Sequence, residues 1–172
     1  MRPATVLGLD LGERRVGVAI AEADGLAARP LVTLVRGRDA AADTRRLVEL
    51  IAANGAERIV VGLPLEAAGQ EGAQAAITRA WVEAVQPGVM AAGHDLVWTY
   101  QDERLSSHEA EQRVGPAPRG RSGGPPSRTQ RDAYRARIDR EAAAIILQDA
   151  LDTRPTAGAS QTPPPSTTES AR

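Results

Sequence analysis

The chain has 172 residues, a formal net charge of −1 and a hydrophobic fraction of 42%. This is the length of one ordinary domain, since domains commonly contain about 100–200 residues. Cysteine is absent and histidine occurs twice, which excludes a disulfide scaffold, a thiol nucleophile and a Cys/His metal cluster. No apolar run reaches the roughly 18 residues of a membrane span, and no secretory pattern is present. We therefore expect a cytoplasmic protein without membrane contact.

The first part of the chain predicts three strands, a helix and a fourth strand. Apolar and β-branched runs at 5–11 and 15–21 lie three residues apart, which is typical of a hairpin, and a third strand is expected at 31–35. Apolar residues recur at helical spacing over 41–53 and stop before an Asn-Gly pair, which predicts a helix with a glycine C-cap. The buried-type run at 58–62 is the next strand.

A second helix is predicted over 72–85. Ile77, Trp81 and Val85 fall on one face of it, which is therefore expected to be buried. Pro87 and the glycine after it are expected to end this helix, because proline removes a backbone donor and clashes with the preceding turn.

The last part of the folded region predicts a strand at 96–100 and two helices. The shorter helix is expected to be capped by Ser106 in a capping box. A Gly/Pro-rich basic segment at 115–128 predicts a mobile loop, and the final helix ends near Leu151. Residues 153–172 contain no large apolar side chain and are predicted to be a disordered Pro/Ser/Thr-rich tail.

This order of elements predicts an α/β fold. Three consecutive strands form an antiparallel meander, and the later strands alternate with helices and pair in parallel through right-handed crossovers. The expected architecture of residues 1–152 is a five-stranded mixed sheet with helices on both faces.

Positive charge is concentrated near the end of the folded region. Residues 113–140 contain eight arginines and two aspartates, whereas the rest of the chain is net acidic. A local basic stretch on an acidic protein favours a polyanionic partner. The same stretch is also compatible with a solvated linker.

Three acidic residues stand where apolar or structural residues are expected. Asp10 interrupts an apolar strand, where a carboxylate is costly to bury unless it is paired or binds a metal. Gly8 and Gly12 flank it and are expected to leave space for a ligand. Glu103 follows a predicted strand end, where sites form in open α/β sheets, and Asp139 lies beside the apolar stripe of the last helix.

Carboxylates on separate elements, without His or Cys partners, suit a hard cation such as Mg²⁺ or Mn²⁺. Two such ions about 4 Å apart can activate a water and stabilise the leaving oxygen of a phosphodiester. Each acid also has a structural interpretation, as a turn residue, a surface ion pair or a helix N-terminal acid. The spacing alone leaves both interpretations open.

Four sequence motifs resemble those of one known family. They are G-L-D-L-G-x-x-R-V-G-V-A at 8–19, I-V-V-G-L-P-L-x-x-x-G-x-E-G at 59–72, D-E-R-L-S-S at 102–107 and I-D-x-x-A-A-x-I-I-L at 138–147. In this order they resemble the YqgF/RuvX family, described as pre-16S rRNA nucleases and as Holliday junction resolvases. The resemblance covers about residues 4–152.

The resemblance implies a ribonuclease H-like fold and a metal-dependent nuclease that processes the 5′ end of pre-16S rRNA. It implies that Asp10, Glu103 and Asp139 are catalytic acids that bind two Mg²⁺ or Mn²⁺ ions. The loop at 66–72 is expected to border the site without binding metal. The residues expected to bind substrate are arginines: Arg104, Arg119, Arg121 and Arg128.

Other functions remain open at this point. The same chemistry could resolve branched DNA, which requires a two-fold dimer, and no apolar dimer helix is evident. The segment 8–12 also resembles a phosphate loop of actin-like and sugar-kinase ATPases, which need two such domains. A non-catalytic RNA-binding adaptor would be favoured by a missing carboxylate. We expect a monomer or weak dimer whose partners are pre-rRNA or branched DNA, and the ribosome or its assembly intermediates.

Overall fold

The structure, a computed structural model, describes residues 4–22, 27–66, 69–103, 106–120 and 123–153. Its five strands are β1 (Thr5–Leu11), β2 (Arg15–Glu22), β3 (Arg29–Val35), β4 (Ala56–Leu63) and β5 (Val97–Asp102). They form one sheet in the order β3-β2-β1-β4-β5. The first three strands are antiparallel neighbours, whereas β4 is parallel to β1 and β5 is parallel to β4.

Four helices cover the two faces of this sheet: α1 (Ala40–Asn54), α2 (Ala73–Ala91), α3 (Ser106–Val114) and α4 (Arg128–Asp152). Helices α1 and α2 pack on one face and α4 on the other, with α3 against α4. The predicted α/β architecture, an antiparallel meander followed by parallel strands with helices on both faces, is confirmed. Within the described residues, no helix is both long and apolar enough to cross a membrane.

Alternation along β1 divides the core into two layers, because successive side chains of a strand point to opposite faces. Leu7 and Leu9 are fully buried in the layer that contains the apolar residues of α1 and α2. Val6 is fully buried in the other layer, with Ile146 and Leu147 of α4. Both faces of the central strand are therefore dry, which explains its nearly continuous apolar run.

Helix α4 approaches the sheet closely because glycines face it. A Cβ at Gly8 would lie 2.7 Å from Leu147 Cβ and 2.9 Å from the carbonyl oxygen of Ala143. A Cβ at Gly17 would lie 2.0 Å from the carbonyl oxygen of Asp139. The expectation that Gly8 leaves room for a ligand is therefore wrong, since α4 fills that room. The glycines instead place Asp139 directly over the sheet.

The prediction for α2 is wrong in two respects. The helix continues through Pro87 to Ala91, because Val89, one turn beyond Val85, is fully buried against the sheet. Gly88 also lies against Thr44 of α1, where a Cβ would be 2.6 Å from the threonine methyl group. Packing thus outweighs the lost backbone donor of one proline. Ile77, predicted to be buried, is 50% exposed.

The helix ends agree only in part with the sequence signals. Gly55 caps α1 in the left-handed conformation, at φ 61°, as predicted. Ser106 begins α3 rather than preceding it, and its hydroxyl donates to the carbonyl of Glu103 at 2.8 Å. A capping box is present instead at the start of α4, between Ser127 and Gln130. The predicted tail extends beyond the described residues, so its disorder and the domain boundary at 152 stay predictions.

Candidate active site

Two of the three predicted acids meet at the carboxyl edge of the parallel strands. Asp10 is the penultimate residue of β1, and Glu103 directly follows β5. Strand β4 lies between them, and its Gly62 leaves the space that the glutamate occupies, since a Cβ there would be 2.3 Å from Glu103 Oε2. The Glu103 side chain therefore extends across β4 toward Asp10 on β1. This edge is where α/β sheets form their sites.

Burial raises the pKa of both carboxyls, so each holds a proton at higher pH than an ordinary carboxyl does. Burial, followed by the charges of Glu103 and Asp139, raises the pKa of Asp10 to about 8. Burial raises the pKa of Glu103 to about 7, and the charge of Asp102 adds to this. A hydrogen bond from Asp10 opposes the rise at Glu103, which fits one proton held on Asp10 and shared with its neighbour. Two carboxyls with such displaced pKa values indicate a functional site.

The third acid lies beside this pair but is held by an arginine. Arg15 Nε donates to Asp139 Oδ2 at 2.5 Å, and the two side chains are only 21% and 23% exposed. Arg15 belongs to the first sequence motif, yet its role as the partner of Asp139 was not predicted. Within the described residues, no three carboxylate or histidine side chains are arranged around one metal position.

The residues nevertheless fit a divalent cation at Asp10 and Glu103. Glu103 Oε2 is buried and has no hydrogen-bond donor among the described residues. Leaving a buried acceptor without a partner costs about 1–3 kcal/mol, and more for a charged group. A cation would satisfy this oxygen and cancel the repulsion within the pair. Carboxylate oxygens are also the ligands that Mg²⁺ and Mn²⁺ prefer.

Two of the four predicted substrate-binding arginines, Arg119 and Arg128, belong to the described residues. Arg119 and Arg128 are exposed, the first in the segment before α4 and the second at its start. Arg104 and Arg121 lie outside the described residues. Neither Arg119 nor Arg128 forms an ion pair with Asp10, Glu103 or Asp139 among the described residues, and the role of all four arginines in binding stays a prediction.

The loop after β4 lies at the same edge of the sheet. Its turn is closed by a hydrogen bond from the backbone N–H of Glu66 to the carbonyl of Gln70, at 2.8 Å. Glu71 pairs with Arg79 of α2, whose guanidinium lies 4.3 Å from the ring centroid of Tyr100. The Glu71 carboxylate is thus held by an arginine, and the expectation that this loop borders the site without binding metal stays a prediction.

Comparison with known proteins gives the family. The family model described as "RuvX: Holliday junction resolvase" matches residues 4–153. A protein of Chloroflexus aggregans, named "Putative pre-16S rRNA nuclease", is 39% identical over 154 residues, which are 90% of this chain and 97% of that one. A protein of Synechococcus elongatus with the same name is 39% identical over 146 residues, which are 85% and 87% of the two chains.

The chain therefore belongs to the RuvX family, and the predicted resemblance is confirmed. Among solved structures, it is similar to T. thermophilus RuvC in complex with a Holliday junction substrate. That match has a TM-score of 0.48 and 18% identity, and covers 86% of this chain and 93% of the other.

Proposed function

We propose that this protein is a metal-dependent nuclease that hydrolyses phosphodiester bonds in 5′-end processing of pre-16S rRNA. The observation that carries the proposal is the buried pair Asp10–Glu103, with both pKa values raised and one orphaned carboxylate oxygen. The family membership supports the nuclease chemistry, and the names of the relatives support the substrate. A cytoplasmic location and contact with ribosome precursors are proposed together with this function.

Asp10 and Glu103 would hold the cation, because their carboxyls are adjacent and poorly solvated. A bound divalent cation would polarise the phosphoryl oxygen and lower the pKa of the attacking water. Burial of the pair keeps bulk water away, so that electrostatic interactions in the site are strong. Asp139, now bound by Arg15, supplies the third negative charge near Asp10.

Resolution of branched DNA is a second candidate, favoured by the printed description of the matching family model. The same carboxyls would serve in it, since both substrates present the same phosphodiester bond. The difference lies in assembly, because a resolvase cuts two symmetric strands and needs two sites in a two-fold dimer.

The decisive experiment compares a pre-16S rRNA 5′ fragment and a four-way DNA junction as substrates of the same preparation. Each is incubated with Mg²⁺, with Mn²⁺ and with EDTA. The proposal predicts metal-dependent cleavage of the RNA at rates well above those on the junction. Preferential, paired cutting of the junction by a dimer would favour the second candidate. Absence of cleavage on both substrates, with a folded protein, would contradict both.

A further inference from the structure

An arginine-lined groove includes Arg15, the partner of Asp139. It has a volume of about 520 Å³ and runs between the β1–β2 turn, the end of β3 and the first half of α4. The charged residues lining it are five arginines and one aspartate: Arg14, Arg15, Arg128, Arg131, Arg135 and Asp132.

The groove leads to the candidate active site along one stripe of α4. Arg128, Arg131, Arg135 and Asp139 follow one another at intervals of three or four residues, which places them on one face of the helix. At a rise of 1.5 Å per residue, this stripe is about 16 Å long. A second cavity of about 450 Å³ is also lined by Glu13 and Asp139, and it shares four residues with the groove: Arg14, Arg15, Asp132 and Arg135. The two cavities thus join at the carboxylate end.

Most of this positive charge is not compensated by acids. Within the described residues, Arg14 and Arg135 make no ion pair, and Arg131 donates to the carbonyl of Pro126 at 2.7 Å. Arg128 contacts Asp132 at 3.9 Å with both side chains largely exposed, an arrangement that contributes little. Among the described residues, the groove therefore has more guanidinium groups than carboxylates that pair with them.

The walls of the groove are fixed before any ligand binds. The hydroxyl of Thr33 donates to the carbonyl of Ala136 at 2.6 Å, which ties β3 to α4. Arg36 holds the β1–β2 turn by two hydrogen bonds. Its backbone N–H donates to the carbonyl of Arg14 at 2.9 Å, and its guanidinium donates to the backbone carbonyl of Glu13 at 3.2 Å. A prefixed site loses less entropy when it binds a ligand.

We propose that this groove binds the phosphodiester backbone of the nucleic acid strand to be cut, and that it guides the strand to Asp10 and Glu103. This inference rests on the proposed function and assigns it a substrate path. Guanidinium forks match phosphate oxygens in geometry and charge. None of the described residues lining the two cavities is aromatic, so the groove lacks platforms for stacked bases. Contacts of this kind position a strand without reading its sequence.

The length of the stripe agrees with such a ligand. One strand of a duplex carries a phosphate about every 3.4 Å of axis, so the stripe of about 16 Å spans roughly four or five phosphates. Arg15, at the inner end, lies in both cavities. A phosphate that reached it would lie beside Asp139 and close to the carboxyl pair.

The test measures binding without cleavage. A fluorescently labelled single-stranded RNA of mixed sequence, about 20 nucleotides long, is titrated in EDTA at several salt concentrations. The variant is Arg131→Gln/Arg135→Gln, and the control is Arg29→Gln/Arg45→Gln. The control removes the same two charges, from exposed positions at the start of β3 and on α1, away from the groove.

We expect the groove variant to bind at least tenfold more weakly than the parent at low salt. The slope of log affinity against log salt should decrease by about 0.7 for each lost single-strand phosphate contact, or about 1.4 in total. The control should bind within about twofold of the parent with the same slope. Both variants should unfold at the parental temperature, since all four side chains are exposed.

Equal binding and equal slopes for the groove variant and the control would overturn the proposal. So would equally strong displacement of the RNA by polyglutamate at equal charge, because the groove would then bind carboxylates as well as phosphates. This experiment measures binding and not cleavage. The binding role of the groove can therefore be refuted while the parent still acts as a nuclease. It can also be supported for a protein that cleaves neither substrate.

Discussion

Neutralising Asp10 tests whether the buried carboxyl pair opposes folding in the absence of metal. The pKa of Asp10 is raised from 3.8 to about 8 in the folded state, chiefly by burial. Between these two pH values, the folded protein retains a proton that the unfolded chain has released. Stability falls with pH wherever the folded state binds more protons. The parent should therefore become less stable as the pH rises from about 4 to about 8.

The size of the effect follows from the displacement of the pKa. One proton difference changes the free energy of unfolding by about 1.4 kcal/mol per pH unit, so the loss from Asp10 between pH 5 and pH 8 is at most about 4 kcal/mol. A chain of this size changes its melting temperature by about 2–4 °C per kcal/mol. The upper limit is thus about 8–16 °C. Glu103, with its pKa raised to about 7, acts in the same direction.

Thermal unfolding in EDTA at pH 5 and at pH 8 measures the change in melting temperature with pH for the parent and for Asp10→Asn. Asparagine keeps the shape of the side chain and can still donate to Glu103, but it has no charge to bury. We expect the melting temperature of the variant to fall by several degrees less than that of the parent between pH 5 and pH 8. Asp132→Asn, at an exposed position on α4, should behave like the parent. An equal loss in parent and Asp10→Asn would refute the reasoning, and a variant that fails to fold would make Asp10 a structural residue.

Three further predictions concern the framework around the site. Gly17→Ala should destabilise the fold by about 1–3 kcal/mol or more in a urea titration and displace Asp139, because the new Cβ would lie 2.0 Å from the carbonyl oxygen of Asp139. The control Gly124→Ala, whose new Cβ would meet nothing within 4 Å, should leave the free energy of unfolding unchanged. Asp43→Ala should cost about 1–3 kcal/mol, because the indole N–H of Trp81 loses its buried acceptor at 2.9 Å; unchanged stability would show that the indole finds another acceptor. Deletion of residues 153–172 should leave the melting temperature and activity unchanged, and a drop of several degrees would show that the tail packs on the domain.

Elements with a strong local pattern could be predicted from the sequence. The apolar run of β1 and the glycine cap at Gly55 are encoded by neighbouring residues, so their positions were predicted closely. The end of α2 was wrong because the signal at Pro87 is local, whereas the burial of Val89 that opposes it depends on the whole sheet.

The identity of the three acids could be proposed from motifs, but their arrangement could not. Asp10 and Glu103 meet only because β4 lies between their strands with Gly62 facing the glutamate. The contact of Arg15 with Asp139 joins residues 124 positions apart, and no pattern in either segment indicates it. The arginine spacing on α4 is visible in the sequence, yet its significance depends on the turn that forms the opposite wall.

The most direct test of the account is cleavage of a pre-16S rRNA 5′ fragment, in Mn²⁺ and in EDTA, by the parent and by Asp10→Asn, Glu103→Gln and Asp139→Asn. Asp95→Asn, at an exposed position outside the groove, serves as the charge-matched control. We predict that the parent and the control cleave the RNA only with metal, and that each of the three variants, although folded, loses this cleavage. Metal-dependent cleavage at the parental rate by folded Asp10→Asn or Glu103→Gln would contradict the assignment of the buried carboxyl pair as the active site.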